Sequence, residues 1–389
     1  MYNVLKLLKE QSRIMNEKEI REIRRRFRPN KSNIVTIKGC IVDNEKNIRS
    51  YINQSMINTI SDDCEKLFSV LKKVLSGTLG TNLIDLEYKA TQVLDCEEHG
   101  LLMSLRDTSL KNNELLEIFY ANIIKSVHID GSYAILIASD NYDVFDYNNS
   151  GDREEDSSTV FSYIICAVCP IKHSASCLFF SDFDNSFRSV EEHMILSNPE
   201  LGFMFPSFDD RAANIYKAEF YTKNIADIHP DFIKTIFNVD IPMPSPEKKE
   251  TFEACLTQTL AEECNFNVMR AVHDQISEMI QEHKDSKQEE PLRLSKTTFG
   301  NVLETCGIDD QKVERFKEEF DERFGKNAEL PPKSIIDTKT FEVATPYVSI
   351  KVDPERSDLI STQIINGSRY ILIRANDGVE VNGITIDIK

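Results

Sequence analysis

Apolar residues recur at two different spacings along this chain, and where the spacing changes the secondary structure must change with it. Up to about residue 127 the spacing is mostly helical. Ile20, Ile23 and Phe27 form one stripe behind Asn16, a natural helix cap, and Glu19 stands three residues on to complete a capping box before Pro29 stops the helix. Segments 61–75, 97–105 and 113–127 read as further helices, and the alternating 82–88 reads as a strand. From Tyr133 the pattern turns to strand-like runs: YAILIAS, then YDVFDY after a turn, then VFSYIICAVC. The acidic NNSGDREEDSS between the last two suits a hairpin tip. In GFMFPSFDDRAANIYKAEFYTK, Asp209 or Asp210 is placed to cap a helix starting near Arg211.

Pro242, Pro244 and Pro246 mark a linker, and helical spacing returns beyond it. Helices are expected at 251–263, 268–283 and 297–306, the last closed by Gly307. A final one carries Val313, Phe316, Phe320 and Phe324 on one stripe. After Pro331-Pro332 the chain alternates as strands do, and Asn366-Gly367, Asp377-Gly378 and Asn382-Gly383 signal hairpin turns. The expected class is α+β: a mixed N-terminal region, a central mostly antiparallel sheet, a helical block and a small C-terminal antiparallel β unit. The corresponding domains are an α+β main domain over 15–240, a helical block over 241–330 and a β unit over 331–389.

Lys and Arg number 46 against 64 Asp and Glu, a formal net charge of −18. That field opposes unspecific coating of nucleic acid, which is driven by phosphate neutralisation. No run approaches the roughly 20 apolar residues of a membrane span, and the N-terminus lacks the core and cleavage site of a signal peptide. A cytoplasmic protein without membrane contact is expected. The nine scattered cysteines are expected to be reduced core thiols.

Three constellations carry candidate chemistry. Cys166, Cys169, His173 and Cys177 place four soft ligands within twelve residues, a zinc-like set. On a strand, however, residues three apart point to opposite faces, so the expectation is buried thiols, no metal and no cofactor. Asp209, Asp210 and Arg211, with Asn214 and Tyr216 nearby, are the best catalytic candidates: paired carboxylates hold Mg²⁺ or act as a base, and an arginine clamps an anion. The same residues also suit a helix cap and a solvated ion pair. Arg21, Arg25 and Arg28 give the first helix a basic side, for a protein or RNA partner or for the chain's own acidic body, partly neutralised by Glu17–Arg21 and Glu22–Arg26 pairs.

The motifs NEKEIREIRRRF, LSGTLGTNLIDLEY, YDVF, GFMFPSFDDRAANIY and ELPPKSIID with VDPERSDLI occur together and in order. From Met15 onward the chain resembles DUF4317, an uncharacterised bacterial family of anaerobic Gram-positive gut organisms. The resemblance implies no reaction, ligand or catalytic residue. It starts at Met15, so residues 1–14 are expected to be an upstream extension or a mis-called start. No catalytic signature accompanies it. The functional expectation is a non-catalytic cytoplasmic interaction or regulatory protein, leaning away from an enzyme. The alternatives are a metal-dependent phosphoester hydrolase using Asp209, Asp210 and Arg211, and an RNA- or ribosome-associated factor working through the first helix.

Overall fold

The computed structural model describes residues 15–147, 153–190, 193–286, 291–337, 340–376, 378–381 and 384–386. The expected extension over 1–14, the acidic segment 148–152 and the turns at Asp377 and Asn382-Gly383 lie outside the described residues. The chain forms two compact units, 1–244 with 289–291 and 245–288 with 292–389.

The first unit is built on an antiparallel sheet in the order β2 (Ile48–Ser55), β1 (Thr36–Val42), β4 (Tyr133–Tyr147), β5 (Arg153–His173), β9 (Leu201–Phe205), β12 (Lys217–Thr222), β3 (Leu83–Glu87). Alternate side chains of these strands enter two separate cores, because successive residues of a strand face opposite ways. Ile135, Ile137, Cys166, Phe203 and Phe220 pack beneath helices α4 (Glu97–Asp107), α5 (Asn113–Ser126) and α6 (Pro230–Ile236). Leu136, Ile165, Cys169, Met204 and Tyr221 pack beneath α1 (Glu17–Arg24) and α2 (Ser61–Lys73). A short helix α3 (Ala90–Asp95) follows β3.

The expected capping box is present: Asn16 Oδ1 accepts from the Lys18 and Glu19 amides, and the Asn16 amide donates to Glu19 Oε2 at 2.9 Å. Two expectations are corrected. YAILIAS and YDVFDY are one strand, with no turn at Asp140-Asn141, because Asp140 is 2 % exposed and fully bonded. No helix starts at Arg211. Ser207–Asp209 (β10) and Ala212–Asn214 (β11) form a hairpin with a two-residue turn at Asp210 (φ 49) and Arg211 (φ 58). Positive φ at both central residues is the type I′ pattern whose twist suits a hairpin.

β5 runs on past the sheet. Beyond His173 the chain forms a second hairpin, β6 (Cys177–Ser181) with β7 (Ser186–Val190), and β8 (Met194–Leu196) returns antiparallel along the end of β5. The result is a two-stranded arm.

The second unit packs α7 (Ser245–Leu260), α8 (Phe266–Asp285), α9 (Lys296–Thr305) and α10 (Asp310–Phe324) around Phe252, Phe299, Phe316 and Phe320. A minimal pair, β13 (Leu294–Ser295) with β14 (Glu329–Leu330), closes it. Among the described residues the C-terminal strands pair only with their sequence neighbours. β15 (Phe341–Thr345) joins β16 (Val348–Val352), β17 (Ile360–Ile365) joins β18 (Ser368–Ile373), and β19 (Val379–Val381) joins β20 (Ile384–Ile386). Asn366 and Gly367, both at positive φ, make the turn that their sequence signalled.

Candidate functional site

The catalytic candidates lie where the β10–β11 hairpin meets α1. Asp209 is buried, and Asn214 Nδ2 donates to its Oδ2 at 3.0 Å. Asn214 Oδ1 in turn accepts from the Tyr216 amide, so the pair fixes the base of the hairpin. Arg211 Nη1 donates to both oxygens of Glu22, at 2.9 and 2.8 Å, and its amide donates to Glu19 Oε1 at 3.4 Å. A left-handed conformation is costly for a residue with a long side chain. These bonds to α1 hold Arg211 there. Asp210, at the exposed end of the turn, completes the set.

The expected Glu22–Arg26 pair is corrected by the same contacts. Glu22 accepts from Arg211 and from the Tyr142 hydroxyl (2.5 Å), while Arg26 reaches Asp140 with Nε and Nη2 at 3.3 and 3.4 Å. The Arg26 guanidinium also stacks 4.4 Å from the Tyr142 ring centre. Of the basic side, Arg21 pairs with Glu17, and Arg21, Arg25 and Arg28 are all exposed. Arg28 borders a groove of about 550 Å³ shared with Ser61, Glu65, Ser69 and Lys72.

A second polar cluster lies under the same hairpin, and the sequence did not announce it. β12 and β3 set Glu219 directly opposite Asp85, and Lys217 is two residues along on the same face. Glu219 and Lys217 are 0 % and 2 % exposed. The Ser207 hydroxyl donates to Glu219 Oε1 at 2.8 Å. Burial, reinforced by the facing Asp85, pushes Glu219 well above the usual carboxylate range, against the lowering effect of the Ser207 hydroxyl and Lys217. Asp85 also borders a groove of about 520 Å³ with Glu87, Tyr88, Lys89, Asp240 and Pro242.

Burial is the main cause that raises Glu19 to about 7, with Asp209 and Glu22 adding repulsion against the lowering effect of the Asn16 and Arg211 amides. A carboxyl that holds its proton more tightly when folded favours the fold fully below its unfolded pKa near 4.5, and that contribution is lost as pH rises to about 7. Glu19→Gln keeps a capping-box residue but cannot ionise. Relative to this variant, the native chain should lose unfolding free energy between pH 4.5 and 7, by up to about 1.4 kcal/mol per pH unit. Urea titrations at several pH values measure it. Parallel pH profiles for the two proteins would show that Glu19 titrates alike folded and unfolded.

Cys166 and Cys169 lie in β5 at 0 % exposure, one in each core, and so face away from each other. Burial raises both thiols, Cys169 to about 12. His173 is exposed at the end of β5. The side chain of Cys177 lies outside the described residues. Among the described residues no group of three or more His, Cys, Asp or Glu side chains is arranged to hold a metal ion, and no helix is long and apolar enough to cross a membrane.

The arm is the other feature that sequence reading missed. Leu178, Phe180 and Phe187 share one face of β6–β7, with the Phe180 and Phe187 rings 5.3 Å apart. Phe179 lies on the opposite face and Phe183 at the tip. All five are 45 to 96 % exposed, Phe183 the most. The signal is in the sequence: two short segments carrying aromatic residues, CLFFS and SFRSV, flank the turn DFDN.

The family model for Domain of unknown function (DUF4317) matches residues 15–384. No curated protein matches the sequence.

Proposed function

The chain belongs to the DUF4317 family, and we propose that it is a non-catalytic cytoplasmic interaction protein that binds its partner through the β6–β7 arm. The observation that carries this reading is the set of five large exposed apolar side chains on a hairpin whose strands, among the described residues, pair only with each other. Contiguous exposed apolar surface beyond a few hundred Å² marks interaction sites on soluble proteins. A two-stranded ribbon is also marginally stable by itself, so a binding partner that covers it has a physical reason to be there. The hydrolase alternative needs Asp209 and Arg211 to face a substrate, whereas Asp209 is buried and accepts from Asn214 within the hairpin and Arg211 is bound to Glu22 of α1.

The test is photocrosslinking in cells, with p-benzoylphenylalanine replacing Phe183 in one chain and Leu94 in another. Leu94 is 82 % exposed and lies on α3. Discrete covalent adducts are expected from position 183 and not from position 94. Equal yields at both, or none at 183, would remove the basis for the reading.

A further inference from the structure

We infer that the arm's partner is a second copy of this chain, so that two β6–β7 hairpins cross and cover each other; this rests on the interaction reading above. Area is the first argument. The five apolar side chains of the hairpin, with Met194 and Ile195 of β8 at 43 and 50 % exposure, present on the order of 700–800 Å² of surface, since an aromatic side chain alone offers about 150–250 Å². That area equals the ~800 Å² that one partner contributes to a standard interface.

Shape is the second argument. Apolar side chains stand on both faces and at the tip of the hairpin, so a flat partner covers only one side. A crossed pair of identical ribbons places each face against its counterpart. Such an isologous contact closes at two copies. Outside edges support the same geometry: β6 and β7 form a two-stranded sheet among the described residues, and an edge strand is a ready template for a matching edge.

Light scattering on the size-exclusion eluate of the full chain tests the proposal. Loaded at tens of micromolar, the native protein should elute at about twice its 44.6 kDa chain mass. Phe179→Ser/Phe183→Ser/Phe187→Ser should elute as a monomer with an unchanged circular dichroism spectrum. If that triple variant fails to fold, Phe183→Ser alone serves, with dimer dissociation at least tenfold easier than in the native chain. A native monomer overturns the proposal, and so does a dimer that survives the triple substitution. In the first case, adducts from position 183 to other proteins keep the interaction reading alive. A native monomer without adducts ends both.

Discussion

Asp140→Ala should destabilise the first unit by about 3–5 kcal/mol, the loss expected when one partner of a buried ion pair is removed. Asp140 gathers three donors at once. Arg26 reaches both of its oxygens, the Asn33 amide donates at 3.0 Å and the Tyr163 hydroxyl at 3.0 Å. Tyr163 is 0 % exposed and the Arg26 side chain is 14 % exposed, so neither finds water when the carboxylate goes. Each donor then carries its own desolvation penalty. A domain holds only about 5–15 kcal/mol in total, so the variant should be unfolded in a substantial fraction of molecules at 37 °C. Denaturant unfolding of the native chain and variant measures it, with Arg26→Met added to Asp140→Ala as the second arm. The double variant should recover part of the loss, because it removes the unpaired charge as well. A loss below about 1 kcal/mol would mean that the Asp140 network adds little to what the apolar stripe and the Glu22 bonds of α1 already hold.

Gly39→Ala should have a comparable effect for an unrelated reason. A Cβ at Gly39 would lie 1.9 Å from Ile135 O and 3.0 Å from Ile135 C. Both are main-chain atoms of β4, so no side chain can swing aside and β1 must part from β4. Because β1 bridges β4 and β2, the strain reaches the sheet edge. Overpacking of this kind costs about 1–3 kcal/mol when side chains absorb it, and more when main chain must move. The expected outcome is a loss of about 3 kcal/mol or more, or an insoluble product. Gly100→Ala is the control. Gly100 lies within α4 with nothing inside 4 Å of its new methyl, so it should gain up to about 1 kcal/mol of stability from helix propensity. Thermal or denaturant midpoints that move alike in the two variants would contradict the account.

Local signals are legible in the sequence, and those that depend on distant partners are not. The Asn16–Glu19 capping box needs only four residues, and every hydrogen bond of it forms. Asn366-Gly367 likewise needs only its own backbone preferences. Asp209-Asp210, by contrast, suits both a helix cap and a hairpin turn. The turn prevails because Glu19 and Glu22, about 190 residues earlier in the chain, receive the Arg211 amide and guanidinium. Asp140-Asn141 resembles a turn for the same reason: the donors that satisfy Asp140 include Arg26, over a hundred residues away. Glu219 and Lys217 alternate with apolar residues, as on a solvated strand face, and no local pattern tells that β10–β11 will cover them. The C-terminal alternation gave the strands but not their separation into three pairs.

The central claim is that this chain works through the β6–β7 arm and not through the Asp209–Arg211 turn. The most direct measurement follows the crosslink from position 183 in two further backgrounds. Asp210→Asn removes the exposed carboxylate of the turn and keeps a residue that tolerates positive φ. Phe179→Ser/Phe187→Ser removes one apolar side chain from each face of the arm. The account predicts that adducts persist at native yield with Asp210→Asn and fall at least tenfold with the serine pair. Adducts lost with Asp210→Asn and kept with the serine pair would contradict it.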